Sequence, residues 1–307
     1  MKSLQQILHN ACADRNHPWA LATLVKTEGS SYRLPGARLL VSPEGQSIGV
    51  LSGGCLEEEI ARLGMGVIQS GEPQLHHFDT RKLFGCDGRL WICLERIEAA
   101  ENTGNFLTQL EARFRSRELC RISVPYTAGE PSSLLSEHAL VLEKEGTFTQ
   151  ILPLPTRLLL FGQGPEIESM RTFAHGLGWN VIDYSHPDEL PEDFIPDRTT
   201  AAVIMNHKFG RDLVSLTRLL PLGLPYVGLL GPKRRQAELL RNFADFHELE
   251  PEWLNALHSP AGLDIGSESP EEIAFSIVSE ISAVLSSRGA GFLRDRAGAI
   301  HPKEAMA

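Results

Sequence analysis

Arg157-Leu158-Leu159-Leu160-Phe161-Gly162-Gln163-Gly164-Pro165 reads as a strand, a tight turn and the start of a helix within nine residues. Its unbroken apolar run, without alternation, describes a strand covered on both faces, as in a parallel sheet. Two glycines one residue apart close that strand, and Pro165 falls where a helix begins. A helical pattern continues to about Leu177, and short apolar runs recur at Val181–Tyr184, Ala201–Met205 and Tyr226–Leu230. Helical segments at about 209–220 and 232–244 separate the later runs. This βαβ alternation predicts a doubly wound, Rossmann-like parallel sheet with its ligands at the strand C-terminal ends. Ser269-Pro270-Glu271-Glu272 supplies an N-cap with proline at the first helical position, opening a last helix to about Ser286.

Upstream, Leu152-Pro153-Leu154-Pro155 reads as the linker, because two prolines cannot continue a ladder and they stiffen the crossing. The residues before it have a different signature. Leu4, Ile7, Leu8 and Ala11 form an amphipathic helical stripe, and Trp19–Lys26 reads as a strand. Arg38–Val41 and Ile48–Leu51 are strands around the Ser42-Pro43-Glu44-Gly45 turn, and a helix runs from Cys55 towards Gly71. Gln74–Phe78 and Leu90–Leu94 are further strands, residues 102–118 a helix, and 120–125 and 139–152 strand-like stretches. The expected organisation is therefore an α+β domain over 1–152, a Rossmann-like domain over 153–290 and a tail over 291–307.

The chain has 307 residues, enough for two domains with separate cores, and 42% hydrophobic and 22% charged residues are ordinary for a globular protein. A net charge of −10 argues against a nucleic-acid or anionic-membrane binder, which needs a basic footprint. No apolar run approaches the ~20 residues of a membrane span. Five scattered cysteines without a CxxC pair, and no secretory leader pattern, point to the cytoplasm.

Several motifs carry chemistry. Gly162-x-Gly164 is half of a dinucleotide fingerprint, and Asp183 follows where an acidic group meets a ribose hydroxyl. The third glycine position holds Ile167, however, and Pro165, Glu166 and Glu168 crowd the helix start. Carboxylates there repel a pyrophosphate, so a Rossmann scaffold without a working NAD(P) site is the favoured reading. Gly231-Pro232-Lys233-Arg234-Arg235 puts three cations at a helix N-terminus, against the macrodipole, which an anionic ligand would offset. His207 and His258 follow strands of the same half and are placed over its strand ends. In the first half, Ser52-Gly53-Gly54-Cys55-Leu56-Glu57 delivers a thiol to a helix start, where the dipole favours nucleophilic, metal or anion contact. Cys86, in a second glycine turn, is its companion. A buried structural cysteine is the plain alternative for either one.

Taken in order, these blocks carry a resemblance. Gly29-Ser30-Ser31-Tyr32-Arg33-x-Pro35-Gly36-Ala37, Gly53-Gly54-Cys55-Leu56-Glu57 and Gly85-Cys86-Asp87-Gly88 resemble the N-terminal block of the XdhC/CoxI family. Leu160-Phe161-Gly162-x-Gly164, Asn206-His207, Tyr226 to Arg235 and His258 to Gly266 resemble its second half, so the likeness spans about residues 5–287. Ile167 stands where many members have a small residue, and Asp87 where glycine is usual.

The resemblance implies a cytoplasmic chaperone that binds molybdenum cofactor, protects it while its terminal sulfur is installed, and inserts it into an apo xanthine-dehydrogenase-type molybdenum hydroxylase. A cysteine desulfurase as second partner and a homodimer are compatible with it. It places Cys55 first, as contact to molybdenum or its sulfur, and Cys86 second, in a molybdopterin cleft between or beside the domains. Arg33 and Arg38 are then candidates for the cofactor phosphate. Two alternatives remain: an NAD(P)-dependent oxidoreductase using Gly162, Gly164 and Asp183, and a thiol-redox protein using Cys55 and Cys86.

Overall fold

The computed structural model describes residues 2–14, 16–29, 31–54, 56–80, 88–99, 105–126, 132–136 and 145–297. Two compact units divide the chain, the first ending at Leu154 and the second starting at Pro155. Among the described residues no helix is long and apolar enough to cross a membrane.

The first unit contains α1 (Lys2–Ala13), β1 (Trp19–Gly29), β2 (Arg38–Val41), β3 (Ser47–Gly49), α2 (Glu57–Ser70), β4 (Gln74–Asp79) and β5 (Gly88–Ile97). It continues with α3 (Phe106–Arg115), β6 (Cys120–Pro125), β7 (Leu134–Ser136) and β8 (Thr147–Leu152). Strands β3-β2-β1-β5-β4 make one antiparallel sheet, and β7-β6-β8 make another. Strand alternation sends Ala20, Ala22 and Leu24 to the face covered by Ile60, Val67 and Ile68 of α2. Trp19 and Leu21 face the other way, against α1, α3 and the small sheet. The larger sheet is thus buried on both sides. Leu152 and Leu154 belong to this second cluster, so the proline-containing crossing packs on the first unit rather than hanging free.

The second unit contains β9 (Arg157–Gly162), α4 (Pro165–Leu177), β10 (Asn180–Tyr184), β11 (Thr200–Met205) and α5 (Phe209–Leu219). After these come β12 (Tyr226–Leu229), α6 (Lys233–Ala244), α7 (Pro251–Ala256), β13 (Leu257–His258) and α8 (Pro270–Leu285). All pairings are parallel, in the order β10-β9-β11-β12-β13. Helices α4 and α8 cover one face and α5 and α6 the other, which makes the sheet doubly wound as expected. Strand order reverses between β9 and β11, the point where such sheets open a crevice at their C-terminal ends. Strand β7 and helix α7 are too short to leave a periodicity in the sequence.

Candidate functional site

At that switch point Gly162 takes φ +143°, and a Cβ on it would lie 2.3 Å from the carbonyl oxygen of Met205 at the end of β11. Only glycine lets the two strand ends approach so closely. A Cβ on Gly164 would fall 2.8 Å from Glu166 Oε2 and 3.5 Å from His207 Nε2, so both side chains converge on the glycine turn. His207 itself has φ +55°, an uncommon conformation outside glycine, and its Nε2 is 3.8 Å from Glu166 Oε2. Asn206, buried beside it, donates from Nδ2 to Ser215 Oγ on α5 at 3.3 Å. One turn earlier on that helix, buried Asp212 accepts from Arg235 Nε at 3.0 Å.

Glu166 Oε2 and Asn206 Oδ1, just past the ends of β9 and β11, are buried and accept no hydrogen bond, and Asp212 Oδ1 in the first turn of α5 is a third such oxygen. The mouth therefore presents acceptors where a dinucleotide site presents donors. Ile167, 7% exposed, fills the third glycine position with core packing against α8. Asp183, expected opposite a ribose hydroxyl, is ion-paired: its carboxylate accepts from Arg171 of α4, at 3.2 Å from Nε and 3.1 Å from Nη2. The three cations of α6 divide. Arg235 turns back onto Asp212, while Lys233 and Arg234 stay exposed in the first turn.

His258 does not share the mouth with His207. It stacks on Tyr226, 4.4 Å between ring centroids, and its Nδ1 lies 3.1 Å from Glu280 Oε1 on α8. Tyr226 Oη and the Gly262 N–H donate to Glu280 Oε2 at 2.6 and 2.8 Å. Burial alone would raise the Glu280 pKa, but the hydrogen bonds from His258, Tyr226 and Gly262 outweigh it and hold the carboxyl below its usual range. This network ties β12, β13 and the following loop to α8, which is a structural task. A lone glutamate in the apolar run Ile277-Val278-Ser279-Glu280-Ile281 was the signal for it.

In the first unit the turn before α2 is organised by Glu57. Its carboxylate accepts from the N–H groups of Leu51, Ser52, Gly54 and Leu56, and from Ser52 Oγ at 2.6 Å. Burial pushes its pKa up, but these hydrogen bonds win and bring it down to about 2. Donors that would otherwise serve an incoming anion are thereby taken by the chain's own carboxylate. Gly53 and Gly54 adopt φ +81° and +112°, and a Cβ on Gly54 would meet nothing within 4 Å. Cys55 and Cys86, the two thiols expected here, lie outside the described residues. Burial pushes the Cys93 thiol up to about 12 and also raises Cys120, which removes both as nucleophiles.

Arg38 differs from the expectation of a solvated phosphate ligand. Its side chain is interior, 4% exposed, with Nη1 donating to Gly36 O and Gln150 Oε1, both at 2.9 Å. Desolvation lowers its pKa to about 10 against the charge of buried Glu95, whose own carboxyl is raised by burial. The alternation of β2 explains the placement, because Arg38 shares a face with Leu40, towards the small sheet. Arg33 is half-buried, and Ser31 Oγ donates to its carbonyl at 2.6 Å. Among the described residues no group of three or more His, Cys, Asp or Glu is placed to hold a metal ion.

Residues 158–281 match the family described as "XdhC Rossmann domain", and residues 12–79 the "XdhC and CoxI family". A probable xanthine dehydrogenase subunit of Bacillus subtilis (strain 168) is 28% identical over 309 residues, covering 85% of this chain and 91% of that protein. The "molybdenum cofactor insertion chaperone PaoD" of Escherichia coli (strain K12) is 24% identical over 273 residues, covering 86% and 82%. A crystal structure of a xanthine dehydrogenase from Bacillus halodurans superposes with a TM-score of 0.74 at 26% identity, over 94% of this chain and 97% of that one.

Proposed function

Since the chain belongs to the XdhC/CoxI family, we propose that it binds molybdenum cofactor as cargo and inserts it into an apo molybdenum hydroxylase of the xanthine dehydrogenase type. The observation that carries this reading is the alignment with an insertion chaperone over 86% of the chain, both halves included. The site chemistry supports carriage over nicotinamide redox work. Glu166 faces the glycine turn, Ile167 fills the third position, and Asp183 is held by Arg171, so pyrophosphate and ribose both lose their usual partners.

In this reading Cys55 contacts the molybdenum or its terminal sulfur, and Cys86 is second. The turn around Cys55 suits the task. Gly54 and Leu56, its chain neighbours, both donate to Glu57, which fixes the backbone on either side. Arg33 remains a candidate for the cofactor phosphate, as do Lys233 and Arg234. The chain shields the cofactor during sulfuration in the cytoplasm, with a cysteine desulfurase as a second partner and a homodimer as the working form.

The test is co-purification from a host that makes the cofactor. Oxidised wild-type protein is expected to release a fluorescent pterin in near-stoichiometric amount and to activate the apoenzyme. Cys55→Ala is expected to lower bound cofactor or its transfer severalfold, whereas Cys12→Ala leaves both unchanged. A nicotinamide spectrum, or neither ligand, would overturn the reading, and equal loading and transfer by Cys55→Ala would remove the cysteine from it.

A further inference from the structure

The mouth of a doubly wound sheet ordinarily meets its ligand with donors, because glycine-turn N–H groups and a helix N-terminus suit phosphate. Here the side chains at the same place supply the opposite polarity. Glu166 Oε2, Asn206 Oδ1 and Asp212 Oδ1 accept no hydrogen bond, and Asn206 and Asp212 are only 7% and 1% exposed. A buried acceptor left without a donor is destabilising, so Glu166 Oε2 beside the glycine turn marks a place suited to receive N–H or O–H groups.

The nearby donors are already committed. Arg235 Nε and Nη2 both go to Asp212 Oδ2, the second oxygen of that carboxylate. Ser215 Oγ gives its proton to Arg211 O at 2.9 Å. Ser215 Oγ in turn accepts from Asn206 Nδ2, the arrangement that leaves the amide oxygen unpaired. His207 Nε2, at 3.8 Å, is beyond hydrogen-bond reach of Glu166. Among the described residues none donates to these three oxygens.

We propose that this mouth receives the N–H edge of a 2-amino-4-oxopyrimidine ring, with the Glu166 carboxylate accepting from the ring N–H and the exocyclic amine together. Two parallel donors on a planar ring match the two oxygens of a carboxylate, as a guanidinium does. Glu166 is the fitting contact because its side chain is 13% exposed, at the boundary between the buried acceptors and solvent. A phosphate is repelled from the same spot. The exposed Lys233 and Arg234, in the first turn of α6 at the same end of the sheet, are the groups for a phosphate carried elsewhere on the ligand. Pterins and guanine nucleotides share this edge. The inference rests on the reading of the chain as a cofactor carrier and names the subsite that grips the ring.

The experiment uses the full chain and two pairs of probes in calorimetric or fluorescence titrations: pterin against lumazine, and GMP against IMP. Each second member lacks the 2-amino donor. Wild type is expected to prefer the amino member of at least one pair by about tenfold or more, the loss that follows from one charge-assisted hydrogen bond. Whichever pair shows the larger preference identifies the ring. Glu166→Gln, isosteric and partly exposed, is expected to abolish the preference with the melting temperature unchanged. Equal binding of both members to wild type, or a preference that survives Glu166→Gln, would overturn the proposal. Co-purified cofactor, measured on the same samples, keeps the two failures apart. Protein that carries molybdopterin yet shows no 2-amino preference retains the carrier function and loses this subsite. Protein that carries none but keeps a Glu166-dependent preference for GMP retains the subsite and loses the carrier function.

Discussion

Glu57 shows how one side chain can shape a turn from within the chain. Four backbone N–H groups and one hydroxyl end on its carboxylate, so the double-glycine turn around it is held from within. Its pKa lies at about 2 in the folded chain against an ordinary 4.5. A group depressed on folding adds stability above its unfolded value, and that stability is lost as pH falls towards the folded one. Glu57→Gln is therefore expected to cost about 1–2 kcal/mol at pH 7, the worth of charge-assisted hydrogen bonds in a partly solvated site. The penalty shrinks as pH falls from 4.5 towards about 2. Urea unfolding of both proteins at pH 7 and pH 3 reads it directly, and an equal penalty at both would contradict the assignment. Arg38 illustrates the same scale from the other side: a cation that looks available on paper is enclosed by strand alternation.

At the scale of elements, the N-terminus of α4 sets the charge around the glycine turn. Gly164 is its N-cap without a side-chain hydrogen bond, Pro165 is its first residue, and Glu166 and Glu168 add two carboxylates to its first turn. Those charges complement the helix dipole, which stabilises the helix and at the same time leaves little for an external pyrophosphate. Ile167, buried against the sheet and α8, keeps the helix at a distance set by a branched side chain rather than by glycine. NAD and NADP are thus expected to show no calorimetric binding at sub-millimolar concentration. A micromolar dissociation constant, abolished by Gly164→Val, would restore the oxidoreductase reading.

Each of the two units has interior enough to stand alone. The second carries one apolar cluster on each face of its sheet, centred on Phe161, Leu216 and Phe243 on one side and on Met170, Ile277 and Ile281 on the other. Its last helix is fastened by a capping box at Ser269 and Glu272 and by the Glu280 network. A fragment of residues 155–297 is accordingly expected to fold by itself, with a cooperative urea transition and the circular dichroism of an α/β domain. A broad, non-cooperative transition would show that its stability depends on the first unit.

The parallel sheet was legible because its strands are buried on both faces, so composition alone marks them, and because Gly-x-Gly, proline and the serine cap punctuate the helices between them. The family was legible for a related reason: glycine turns and their neighbours are constrained by backbone geometry, as Gly162 against Met205 shows, and such constraints persist as motifs. The partners of charged side chains were not legible, since they come from positions far apart in the chain. Sequence order puts Asp183 where a ribose hydroxyl would come, and the packing of α4 on β10 adds Arg171 as its ion-pair partner. Three cations at α6 read alike, yet only Arg235 is within reach of Asp212, twenty-three residues earlier. The unpaired acceptors were equally hidden, because Glu166, Asn206 and Asp212 lie in different segments, Glu166 and Asn206 just past the neighbouring ends of β9 and β11. Local backbone physics was written in the residues; the polarity of the site was decided by which strand ends the fold brings together.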